Sequence, residues 1–287
     1  MAISKILVAA TGTEDGLGAV ESALLVARRF DAHVEVVNVR RNPRDAVAFM
    51  TEGMTGAVIE EIVSTAEQDI EQRSDFASAA LKDLADKHAI TISARAPRHG
   101  LSITFVQQEG REDEVIAERG RLSDLVIAPR PTSHGDAKEE VVAESVLMES
   151  GSGLLLVPPG HVSDLKGNAA IAWNGSAEAA RSVHRAMPLL TEAEEVTIMA
   201  PEESSMRGPG PDALTEYLAH HDIRCHVHNL PTNWTNIGHT LLDIARSEDA
   251  RFVVMGAFSQ GKLRQLILGG ATRFILNHAD LPVLFTH

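Results

Sequence analysis

The chemistry this chain could do is concentrated in one stretch: Gly256-Ala257-Phe258-Ser259-Gln260-Gly261-Lys262-Leu263-Arg264-Gln265-Leu266-Ile267-Leu268-Gly269-Gly270-Ala271-Thr272. It follows the apolar run Phe252-Val253-Val254-Met255. A glycine directly after a buried strand lets the backbone turn sharply and approach a ligand closely. Gly269-Gly270 stand before Thr272 and a helical pattern over 273–277. A helix N-terminus behind two glycines offers free N–H groups and a positive dipole end, to which Thr272 adds a hydroxyl. That is chemistry for a phosphate chain. Residues 256–262 also fit G-x-x-x-x-G-K, but Leu263 stands where a P-loop carries its Mg²⁺-binding Ser or Thr. The glycine pair also lies later than a P-loop would place it.

Other chemistry-bearing residues have two readings each. Cys225, His226 and His228 lie near His220, His221 and Asp222, and His226 and His228 share a face on a strand. This suits either a solvated edge strand or a zinc site, which needs three or four convergent ligands. Trp173 and Phe258 flank the phosphate stretch, Trp173 as a core aromatic or as an adenine platform. Lys262 and Arg264 are solvated charges or phosphate neighbours. Asp15, Gly16 and Gly18 miss the G-x-G-x-x-G spacing and read as a loop. No Ser/His/Asp grouping is brought together, so no catalytic nucleophile is named.

The elements that must position these residues come from a repeat. Ile6-Leu7-Val8-Ala9-Ala10-Thr11-Gly12-Thr13 and Ala169-Ala170-Ile171-Ala172-Trp173-Asn174-Gly175-Ser176 are each a short apolar strand, a polar residue, a glycine and a hydroxyl residue. A helical pattern follows each, with Val20, Leu24 and Ala27 on one face in the first and Ala180, Val183 and Met187 in the second. Further strands match at 34–39 and 196–199, at 124–129 and 251–256, and at the closing runs 154–157 and 283–285. The first copy finishes with a strand over 103–107 and a helix over 112–119. The second has a helix over 212–220, a strand over 224–230 and a helix over 237–247.

The first copy carries extra residues, about 41–90. Most of them form one predicted amphipathic helix over 56–89, with an apolar stripe Ile59, Ile62, Ala66, Ile70, Ala77, Leu81 and Leu84. It either packs on the sheet or offers a partner or dimer surface. Pro158-Pro159-Gly160 break structure, and the segment to Gly167 reads as a linker. The expected domains are 1–158 and 168–287. Alternating strands and helices imply parallel sheets wound by right-handed crossovers, with ligands beyond the carboxyl ends of the strands.

Composition agrees. The 287 residues are 44% hydrophobic and only 4% aromatic, so the cores are aliphatic, as parallel sheets require. A formal charge of -14 without a basic cluster argues against nucleic acid. A single cysteine, no signal-peptide pattern and no apolar stretch of membrane-spanning length lead to the expectation of a cytoplasmic protein.

The stretch 252–287 resembles the end of a universal stress protein domain. That family carries a glycine after strand four, another three residues on, and a later glycine followed by Ser or Thr. A tandem subgroup ends the motif Gly-Gly-x-Thr, matched here by Gly256, Gly269, Gly270 and Thr272, with Leu281-Pro282-Val283-Leu284 at the last strand. The resemblance extends over both copies apart from the long helix. It implies an α/β fold of two tandem doubly wound five-stranded parallel-sheet domains, each like the adenine nucleotide alpha hydrolases, packed as an intramolecular pseudo-dimer. It also implies a stress-response role with binding of ATP, or ADP or AMP, with Mg as the nucleotide's counter-ion. The implied site comprises Ala172, Trp173, Asn174, Met199, Met255, Gly256, Ser259, Gly269, Gly270, Ala271 and Thr272.

Two positions depart from the family: Ser259 replaces its second glycine, and Asn174 its acidic residue after strand one. In the first copy Pro129, which has no N–H, stands for Gly256, and Thr11 stands at the acidic position. Glu139 and Glu140 would repel phosphate, so this copy is expected to be degenerate and kept for structure. The closing strands are expected to pair antiparallel across a two-fold seam within the chain, and the long helix leaves room for a homodimer. The rival functions are a nucleotide-free interaction protein and a slow ATPase or adenylyl-transfer enzyme.

Overall fold

The computed structural model describes residues 2–46, 55–95, 97, 100–131, 138–202, 206, 208–231, 236–258 and 270–287. The first copy runs β1 Lys5–Ala9, α1 Glu14–Phe30, β2 His33–Arg40, α2 Gly56–Lys87, β3 Ser102–Glu109, α3 Glu112–Gly120, β4 Leu125–Pro129, α4 Lys138–Ser145 with a π turn Val146–Ser150, and β5 Gly153–Val157. The second runs β6 Asn168–Ala172, α5 Ala177–Leu190, β7 Val196–Ala200, α6 Pro211–Ala219, β8 Cys225–Asn229, α7 Ile237–Ser247, β9 Ala250–Gly256, α8 Gly270–His278 and β10 Val283–Thr286.

Each copy winds outward from its first strand and returns to set its fourth beside it. The two half-sheets join into one of ten strands, ordered β3-β2-β1-β4-β5-β10-β9-β6-β7-β8. The seam is the antiparallel pair β5–β10, with Leu284 opposite Leu155 and Phe285 opposite Leu154, as the two apolar closing runs led us to expect. Each covers the other's edge, so neither presents an unpaired apolar ladder to other chains.

Alternation along the strands sorts side chains to two faces. Ile6 and Val8 join a core layer under α1, α2, α5 and α6, while Leu7 and Ala9 join the layer under α3, α4, α7 and α8. Both layers run unbroken from one copy into the other. Residues 158–167 form no helix or strand, yet they are tied down. The Ser163 N–H donates to Ser22 Oγ at 3.0 Å, the Arg29 guanidinium donates to the Asp164 carbonyl, and Leu165 is buried. Arg29 also pairs across the copies with Glu192 at 2.6 Å.

The long helix α2 is one piece, about 48 Å by its 32 residues. Its buried side chains, Ser74, Ala77, Leu81 and Ala85, all lie in its second half. A polar chain fixes that half to the sheet. Asn38 Nδ2 donates to the Ala10 carbonyl at 2.9 Å, Ser74 Oγ donates to Asn38 Oδ1 at 2.8 Å, and Gln107 Nε2 donates to Ser74 Oγ at 2.6 Å.

Candidate functional site

The site is built at the carboxyl ends of β6 and β9, which are parallel neighbours. Gly256 ends β9 because the backbone of α5 presses on it. A Cβ there would lie 2.6 Å from the Ala179 nitrogen and 2.7 Å from the Glu178 carbonyl carbon. Ser182 Oγ, one turn into α5, donates to the Met255 carbonyl at 2.8 Å and holds strand and helix together. On the other side, the Phe258 N–H reaches Thr272 Oγ1, in the first turn of α8, at 3.5 Å. The turn 256–258 is therefore held between the first turns of two helices. Phe258 itself takes the left-handed region, φ 59, where a bulky side chain is strained.

The two helix starts are not equivalent. At α5 the amides already have anionic or polar partners. Ser176 Oγ accepts from Ala179 N at 3.2 Å, and Asn174 Oδ1 accepts from Ser176 N at 3.1 Å. The Glu178 carboxyl also sits there. Burial pushes its pKa up, but its own backbone N–H, Ser176 and Arg181 outweigh burial and hold it below the usual carboxylate range. At α8, Gly270 is the first helical residue described, so the helix starts three residues earlier than the pattern over 273–277 suggested, and Gly270 is exposed. Among the described residues, nothing lies within 4 Å of where a Cβ on Gly270 would stand. An anion beyond the ends of β6 and β9 thus finds a carboxylate at the start of α5 and no described acidic group at the start of α8.

The remaining sequence-predicted residues sort by depth. Met199, Met255 and Trp173 are buried, Ala172 and Ala271 are half-buried, and Asn174 is exposed. Trp173 turns inward, and its indole N–H donates to the Pro209 carbonyl at 2.9 Å. That is the core placement of its two readings. Gly208 and Pro209 close over the turn after β6, where Gly175 has φ +72 and a Cβ on Gly208 would lie 2.1 Å from the Gly175 carbonyl oxygen. Ser259, Gly269, Lys262 and Arg264 lie outside the described residues. Sequence reasoning missed Glu178 and the Gly208–Pro209 clasp. Ser176, ahead of a helical pattern, carried an N-cap signal.

The corresponding place in the first copy is covered by α2, which leaves a small cavity lined by Thr11, Gly12, Thr13, Gly16, Phe76 and Leu81. Gly12 has φ +71, and a Cβ on it would lie 2.3 Å from the Arg73 carbonyl oxygen of α2. The Asn38–Ser74–Gln107 chain lies beneath, with Asn38 and Ser74 each 4% exposed. After β4 come Pro129, Arg130 and Pro131 instead of a glycine.

The histidines of β8 lie on the outer strand of the sheet, and Glu195 and Glu248 meet them. His226 Nδ1 lies 3.1 Å from Glu195 and its Nε2 3.2 Å from Glu248, and His228 Nδ1 lies 2.9 Å from Glu248. Among the described residues no group of three or more His, Cys, Asp or Glu converges as a metal cage. The Cys225 thiol is half-buried and its pKa is pushed up by that burial. No helix among the described residues is long and apolar enough to cross a membrane.

Residues 170–287 match the model of the universal stress protein family. A universal stress protein from Archaeoglobus fulgidus DSM 4304 superposes with a TM-score of 0.64 at 15% identity, over 98% of this chain and 95% of its own. A putative universal stress protein from Pseudomonas aeruginosa UCBPP-PA14 superposes with a TM-score of 0.58 at 16% identity, over 99% and 93%. At these identities the likeness is one of fold, and it covers both copies. No curated protein matches the chain in sequence.

Proposed function

We propose, for a chain whose residues 170–287 match the model of the universal stress protein family, that the second copy is an adenine-nucleotide-binding module and the first is its structural counterpart. The observation that carries this reading is the exposed start of α8 at Gly270, set beside the turn 256–258 by Thr272. Helix N–H groups and the dipole end there suit the phosphates of ATP, ADP or AMP. The departed acidic position, Asn174, uses its oxygen on the Ser176 N–H and orders the turn on the nucleoside side. Mg would enter with the nucleotide as its phosphate counter-ion. The domain limits 1–158 and 168–287, a cytoplasmic location and association of two chains through α2 belong to the same reading. The role is binding and signalling, which is what the resemblance to the family implies.

The clean test is Gly270→Val. Gly256 is a poor probe, because any side chain there collides with α5. At Gly270 the added side chain meets no described residue, and it stands where the phosphates would approach the helix start. Isothermal titration with ATP should show binding to the unaltered protein and roughly a hundredfold loss in the variant, with melting unchanged. A protein that binds no ATP, ADP or AMP contradicts the reading and favours a nucleotide-free interaction module. The inward-turned Trp173 and the closed clasp are the observations consistent with that alternative.

A further inference from the structure

The first copy has lost the glycines, but the place where the second copy leaves β9 is occupied in the first by Arg130. The registers correspond. Pro129 pairs with Val157 as Gly256 pairs with Thr286. The next N–H returns to the closing strand in each copy, Arg130 to the Val157 carbonyl at 2.7 Å and Ala257 to the Thr286 carbonyl at 2.9 Å. From there the half-buried Arg130 guanidinium crosses the seam. It donates to the carbonyl of Asn277, in the last turn of α8, and to the Pro131 carbonyl at 2.9 Å. Last-turn carbonyls have no partner within the helix and carry the negative end of its dipole, so a cation there satisfies an acceptor and offsets charge together.

The other end of α8 is held from the same copy. Arg273, in its first turn, faces Glu140 of α4, Nε to Oε1 at 3.5 Å. Between the two, Ile275 and Leu276 share a core layer with residues of α4. The helix whose start faces the proposed phosphates is thus contacted near both ends by residues of the other copy. Oriented donors lose their value when displaced by an ångström or so.

We infer that Arg130 and Glu140 of the first copy are positioning residues for α8, so that the degenerate copy sets the phosphate affinity of the site in the other. This rests on the nucleotide reading above, and phosphate-bearing and phosphate-free ligands separate the two claims. Titrate the full chain and its Arg130→Met variant with ATP and with adenosine, and follow hydrogen exchange of the amides of α8. The expected result is roughly a tenfold loss of ATP affinity, unchanged adenosine affinity and faster exchange in α8. A general loosening of the fold would instead weaken both ligands alike, and that result overturns the inference, as does unchanged ATP affinity. Unaltered protein that binds neither ligand removes the nucleotide reading and this inference together. If Arg130→Met does not fold, Glu140→Gln carries the same test: removing a negative charge near the helix start would by electrostatics alone raise ATP affinity, so a loss of ATP affinity with adenosine unchanged reports positioning, and a gain overturns the inference.

Discussion

Both copies place a left-handed glycine after their first strand, Gly12 at φ +71 and Gly175 at φ +72, and both let the chain that follows the second strand press on it. What presses differs. In the first copy it is the backbone of α2, locked by buried hydrogen bonds through Asn38 and Ser74. In the second it is the short clasp Gly208–Pro209. After the fourth strand the first copy continues through two prolines and an arginine, and the second through a glycine toward the start of α8. One architecture thus supports a covered cleft and a candidate site. The comparison teaches that this fold can carry an added helix over the carboxyl ends of its strands without disturbing the sheet beneath.

The largest expected effect comes from breaking the seam that holds the copies together. Leu284→Asp places an unpaired charge opposite Leu155, where both positions are at most 1% exposed. It should cost about 3–5 kcal/mol in chemical denaturation, much of a typical domain's stability. A loss below about 1 kcal/mol would mean the seam contributes little. Next, Asn38→Ala strips the Ala10 carbonyl and the Ser74 hydroxyl of a partner in a buried setting. About 1–3 kcal/mol of stability should go, with no change in ATP affinity. Altered ATP affinity would mean that the covered cleft of the first copy also bears on binding.

A smaller effect is tied to pH. Burial pushes the Glu35 carboxyl up, but Lys5 at 3.0 Å and Arg119 at 2.6 Å outweigh it and hold its pKa below the usual glutamate range. A carboxyl depressed in the folded state contributes stability above its unfolded pKa and loses it as pH falls through its folded value. Denaturation midpoints measured from about pH 6 down to about pH 3 should therefore fall less steeply in Glu35→Gln than in the unaltered protein. Parallel curves would remove Glu35 from the account.

Much of the fold was legible in the sequence because apolar strands and helical stripes repeat in the same order twice. The seam was legible too, since Leu154-Leu155-Leu156-Val157 and Val283-Leu284-Phe285 are too apolar to stay at an edge. The site was legible only as a glycine pattern. Trp173 gave no sign of which way it points, because its orientation is set by Pro209, 36 residues away. Glu195 and Glu248 could not be assigned to the β8 histidines, since strand pairing and the end of α7 bring them there. The grip of Arg130 on Asn277 spans 147 residues and crosses the seam, so no local pattern could carry it.

The central claim is that one copy binds nucleotide and the other cannot. It is tested most directly by the stoichiometry of ATP binding to the full chain, measured by titration calorimetry and checked by native mass spectrometry. The account predicts one nucleotide per chain, abolished by Gly270→Val and indifferent to Asn38→Ala. Two nucleotides per chain, or none, would contradict it.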